Sequence, residues 1–161
     1  MKLYHGSIER VERPEIREAN RTLDYGCGFY ATTSCQQAEE WVRRRMKEQE
    51  TAHGFVNVYE FDEEALVKLD CLIFQTPTDE WVDFVMKNRT QKGFTHSYDI
   101  VYGPVANDRV YAAFALYEGG LLNKQNLIAE LKTYKLVDQY LFHTETALQS
   151  LVFIEARKVV K

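Results

Sequence analysis

Cysteine is scarce and unpaired in this chain of 161 residues: Cys27, Cys35 and Cys71 form no CxxC and no Cys/His ligand spacing. A disulfide framework and a zinc site are therefore not expected, and the compartment implied is a reducing one. No apolar stretch approaches the roughly 18 residues that a membrane span requires, so no membrane partner is expected. The opening Met-Lys-Leu-Tyr-His-Gly-Ser is polar and broken by glycine, which predicts a cytoplasmic protein without a secretory leader. Basic charge is not in excess. With 20 Lys and Arg against 24 Asp and Glu, the net charge of −4 lacks the positive footprint of sequence-independent nucleic-acid binding. There is also no Pro/Gly/Ser-rich linker, repeat or low-complexity tract to divide the chain, so residues 1–161 are read as one domain.

What remains is an ordinary globular composition, 45% hydrophobic and 27% charged, outside the range of disordered chains. Alternation in Phe55 to Phe61 predicts a strand, and the short apolar runs Asp99 to Val105, Gln139 to Phe142 and Val152 to Glu155 predict three more. Helical spacing begins after Ser34 with Ala38, Trp41, Val42 and Met46. A second helix is predicted with Thr76 as N-cap, Pro77 at the first helical position and Asp79 in the first turn. A third is expected from Asp108, capped by Asn107, to Gly119-Gly120. A fourth follows Asn123 with Leu127, Ile128 and Leu131 inward, and the last starts at Thr144 with Ala147, Leu148 and Leu151. Strands and helices without strict βαβ alternation predict an α+β class.

Two constellations stand out for chemistry. Leu3-Tyr4-His5-Gly6-Ser7 ends a strand in an imidazole, a residue without Cβ and a hydroxyl, so a ligand can come close to the Gly6 backbone; a strand end followed by a turn explains the same residues. Asp24-Tyr25-Gly26-Cys27-Gly28-Phe29-Tyr30 sets two glycines before an aromatic pair. Alternation sends Phe29 to the core and leaves Tyr30 for a cleft, although a glycine-rich hairpin reads the same way. Asp24 is either a ribose ligand or a turn residue. Trp41 and Trp81 read as core, Arg43 to Arg45 as a solvated helix face, and His53, His96 and His143 as scaffold, with no metal assigned.

These two segments, together with Gly103-Pro104-Val105-Ala106-Asn107-Asp108 and Asp138 to Thr144, resemble the ordered motifs LYHGS, DFGxGFY, GPxANDxV and DQYxFHT of the bacterial DUF3990 family. His-Gly-Ser followed by Gly-x-Gly-Phe-Tyr also resembles the histidine-tyrosine-glutamate branch of the ADP-ribosyltransferase superfamily. That resemblance implies an ADP-ribosyltransferase-like fold, a split mixed and antiparallel sheet with flanking helices. It also implies NAD as substrate, with no metal. By it, His5 would bind the adenosine ribose, Gly6 the nicotinamide carboxamide, and Tyr30 the nicotinamide ring. Ser7, Asn107 and Asp108 are further candidates at the groove. The third position, usually glutamate, falls on Gln139, which can align a ribose hydroxyl but has no useful basicity. Its neighbour Asp138 should face the other way. The expected activity is mono-ADP-ribosyl transfer to an unknown acceptor by a toxin or effector. The alternative is a binding module of the same fold acting through a protein partner such as an antitoxin.

Overall fold

A computed structural model describes residues 1–18, 23–105, 108–134 and 136–161. Among the described residues the chain forms two sheets and six helices, a mixed α+β architecture.

The first sheet is antiparallel, with β1 (Lys2–Ser7) and β7 (Leu151–Val160) on either side of β3 (His53–Phe61). In the second, β2 (Phe29–Ala31), β6 (Asp138–Phe142), β5 (Ile100–Pro104) and β4 (Cys71–Ile73) lie side by side, and only β4 and β5 run parallel. One rung joins the sheets: Tyr4 and Thr32 exchange main-chain hydrogen bonds of 2.8 and 2.9 Å. Apolar faces meet between the sheets, where Leu3, Phe29, Phe61, Ile100 and Phe142 are buried together.

Helix α1 (Cys35–Glu48) starts where Ser34 accepts a hydrogen bond from the Gln37 amide, and it buries Ala38, Val42 and Met46 against the first sheet. Trp41 is not core as expected; it is half-buried, with the Arg44 guanidinium 5.7 Å over its ring. α2 (Ala65–Lys68) and β4 follow, both too short to show a period. α3 (Asp79–Thr90) is capped by Thr78, whose hydroxyl accepts from the Trp81 amide, and not by Thr76. The residue before a proline is pushed out of the helical region, so Pro77 ends the extended lead-in, and Asp79 and Glu80 take the first turn, where the helix dipole favours acids.

α4 (Asp108–Glu118) ends at Gly119-Gly120 as expected; its expected cap, Asn107, lies outside the described residues. Asn123 caps α5 (Lys124–Leu131), with Leu127 and Leu131 buried. Thr144 caps α6, but the helix is only Glu145–Leu148: Leu151 opens β7 instead, and that strand runs well past Glu155. α3, α4 and α5 cover the outer face of the second sheet around Trp81, Phe114 and Leu141. None of the described helices is long and apolar enough to cross a membrane.

Candidate functional site at the split between the sheets

In an antiparallel strand, the N–H and C=O of one residue point to the same side, and successive residues alternate. The Phe61 amide bonds the Met1 carbonyl and Tyr4 bonds Thr32, so odd residues of β1 turn to β3 and even residues to β2. Gly6 therefore turns to β2, and its counterpart across the gap would be Tyr30. That rung is not formed. The strands part after Tyr4 and Thr32, and the Tyr30 carbonyl accepts from His5 Nδ1 at 2.6 Å instead. Turned away from β3, and with the Tyr30 carbonyl taken by His5, Gly6 presents its N–H and C=O to the gap, although it is buried. Buried main-chain groups are rarely left unpaired, so a gap of this kind is a place for water or a ligand.

His5 is half-buried, and its ring lies 4.1 Å from that of Phe29. Burial lowers its pKa to about 4, against the opposing pull of the Tyr30 carbonyl, and the nearby Arg17 charge lowers it further. The ring is therefore neutral at neutral pH. Because a carbonyl only accepts, the proton sits on Nδ1, and Nε2 keeps its lone pair. No described residue hydrogen-bonds Nε2.

Gly6 itself is required by packing. A Cβ there would collide with the Ala38 carbonyl and lie 2.9 Å from Val42, so the missing side chain lets α1 approach β1. That close approach is to a helix, on the side away from the ligand contact expected of this residue. Ser7 Oγ accepts from the Glu9 amide at 3.1 Å, turning the chain out of β1. The segment that follows is tied down by buried Asn57, which accepts from the Val11 amide at 2.9 Å and donates to the Glu9 carbonyl at 3.2 Å.

Tyr30 presents its carbonyl, not its ring, to His5. Its ring lies on the opposite face of the sheet from Phe29, packed toward the helical core, and its hydroxyl donates to the Gly26 carbonyl at 2.5 Å. Two further rings hold the same loop: His96 Nε2 is 2.8 Å from the Tyr25 carbonyl, and His143 Nδ1 is 2.5 Å from that of Cys27. Three consecutive carbonyls thus each receive a side chain. Gly28, at φ +153°, has no room for a Cβ beside the Phe142 carbonyl.

Leu141 pairs with Tyr30 in register, and Gln139, two residues before it, shares that face. Gln139 is buried beside Tyr25, whose hydroxyl accepts from Trp81 Nε1 and donates to the Pro104 carbonyl, each at 2.8 Å. Asp138 faces the other way, as alternation requires. It accepts from Thr32 Oγ1, Thr33 N and Thr33 Oγ1 at 3.1, 3.0 and 2.7 Å. Asp24 is paired with Arg89 at 3.4 Å. Asp108 opens α4, and no His/Cys/Asp/Glu group among the described residues has the makings of a metal site.

Residues 1–153 match the family described as a protein of unknown function, DUF3990. The chain belongs to this family. Among curated proteins and among solved structures, nothing matches it. In this DUF3990 protein the family's motif segments converge: β1 and β2 supply the two sides of the split, and the strand carrying Gln139 lies beside β2. Asn57, Tyr25, His96 and His143 were not expected at the site. For His143 the signal was its place in the fourth motif; for the others the partners are too distant in sequence to suggest the contact.

Proposed function

We propose that the split is an NAD cleft and that the protein transfers ADP-ribose from NAD to an acceptor. The observation that carries this reading is the Gly6 N–H and C=O turned to the gap beside the free His5 Nε2. A carboxamide offers one acceptor and one donor side by side, the complement of an exposed main-chain pair, and a ribose hydroxyl can donate to Nε2. Tyr30 supplies its carbonyl, which fixes the His5 ring, while its own ring lies on the other face of the sheet, bonded to Gly26. In the reaction, the bond between the nicotinamide nitrogen and ribose C1′ breaks, with its electron pair leaving on nicotinamide. A nucleophilic atom of the acceptor bonds C1′ and releases its proton to solvent. The oxocarbenium-like charge between these events is what fixed polar groups would stabilise.

Titration with NAD followed by measurement of nicotinamide release tests both halves of the proposal. His5→Ala is expected to weaken NAD binding about tenfold, the worth of one hydrogen bond, and Tyr30→Ala to weaken it less, by freeing the glycine loop that its hydroxyl holds. Unchanged affinity in both would reject the cleft. Gln139→Ala should chiefly lower turnover.

The geometry around Gln139 favours a second reading, in which NAD is bound without efficient transfer and the protein acts through a partner such as an antitoxin. Gln139 is buried beside Tyr25, and the adjacent carboxylate points away. Binding without nicotinamide release favours this alternative. Gln139→Glu is expected to raise NAD hydrolysis by placing a carboxylate on the Tyr30 face. It is also expected to lower the unfolding free energy by about 1–3 kcal/mol, because a carboxylate replaces a neutral amide in a buried position. No rise in hydrolysis would place the third functional position elsewhere.

A further inference from the structure

We propose that His143 is a proton-operated latch that couples the Gly26–Gly28 loop to the segment before β5. Its ring stands between two carbonyls, with Nδ1 2.5 Å from the oxygen of Cys27 and Nε2 3.0 Å from that of His96. A carbonyl has no proton to give, so each contact is a hydrogen bond only if the nitrogen facing it carries one. Neutral imidazole has one such proton and imidazolium has two. The bridge from Cys27 to His96 through a single ring is therefore complete only in the charged form. Whichever nitrogen keeps the last proton, deprotonation cuts the bridge.

The neighbouring histidine does not share this demand. His96 Nε2 donates to the Tyr25 carbonyl, and its Nδ1 accepts from the Tyr98 amide at 3.2 Å, so one proton satisfies both contacts. Burial holds His96 below the ordinary imidazole range, and its ring centroid lies 4.2 Å from that of His143. Among the described residues, the other titratable groups in contact with the latch are Asp99, Cys27 and Tyr98. Asp99 accepts the His143 amide on its carbonyl at 2.8 Å and Thr144 Oγ1 on its carboxylate at 2.7 Å. Cys27 directs its thiol to the Arg17 carbonyl at 3.1 Å, and the Tyr98 ring packs on His96 at 5.6 Å.

The consequence for the cleft rests on the NAD reading. The loop leads directly into Phe29 and Tyr30, so protonation of His143 stiffens one wall of the split and its loss loosens that wall. His143 acts through this loop and is a positioning residue.

The latch is tested without nucleotide. Imidazole nitrogen resonances of His143 are followed from about pH 5 to 8, together with the carbonyl and following amide signals at Cys27–Gly28 and His96–Ser97. At least one of these two linkages is expected to move in step with the His143 nitrogens. Hydrogen exchange of the loop, corrected for its intrinsic pH dependence, should slow about tenfold on protonation. In His143→Gln, which cannot donate from both ends, both responses should vanish. The latch is overturned if His143 titrates in the wild-type protein while neither linkage responds, or if the same responses persist in His143→Gln. Failure to bind NAD would sink the cleft reading and leave these outcomes interpretable.

Discussion

Replacing Trp81 with alanine is expected to lower the unfolding free energy by about 3–5 kcal/mol, the range for deleting a large buried aromatic. Trp81 is fully buried on α3 and packs on Phe114 with ring centroids 5.7 Å apart. Its Nε1–H also donates to the hydroxyl of fully buried Tyr25, which ties the glycine loop to β5 through Pro104. The loss therefore combines a cavity with an unpaired polar group. Trp81→Phe separates the two, since it keeps most of the volume and removes the donor, and should cost about 1–3 kcal/mol. Urea unfolding of both variants gives the comparison. Equal losses would mean that the hydrogen bond, not the packing, dominates.

The second large effect is a loss of stability in acid centred on His5. Its folded pKa of about 4 lies below the ordinary imidazole value of 6.5, so the unfolded chain takes up the proton first. Stability is then fully present above about pH 6.5 and falls as the pH drops toward 4, by on the order of 2–3 kcal/mol. The cause is burial: the charged ring loses water that the Tyr30 carbonyl only partly replaces. His5→Asn should flatten the curve of unfolding free energy between these pH values while leaving the slope below them. An unchanged slope would show that the proton enters elsewhere, and the neutral tautomer assigned to His5 would lose its support.

Much of the framework was legible because its signals are local. Ser34, Asn123 and Thr144 cap the helices that follow them, and the alternation from Phe55 to Phe61 marks the central strand of the first sheet. Local signals also explain the misses. Thr76 and Thr78 flank the same proline and offer the same hydroxyl, and only the turn geometry selects the second. Trp41 follows the helical period but lies at the margin of the buried stripe, where Arg44 covers it. The split is a tertiary event: nothing in Tyr4-His5-Gly6 says that pairing with β2 stops after one rung. Gly6 shows how one residue serves two demands, since its absent side chain fits α1 while its main chain faces the gap. His143 was read as scaffold because the carbonyls it meets belong to residues 47 and 116 positions away.

The order of strands in the first sheet constrains biosynthesis. β3 lies between β1 and β7, and its pairing with β7 extends from His53 to Phe61. During translation the partner for one whole side of β3 emerges about 90 residues after β3 itself, a long interval at roughly 5–20 residues per second. Until then a long row of main-chain donors and acceptors is open to any other extended chain. A nascent chain stalled before Leu151 should therefore be sticky and protease-sensitive, and release of the final strand should end both properties in one step.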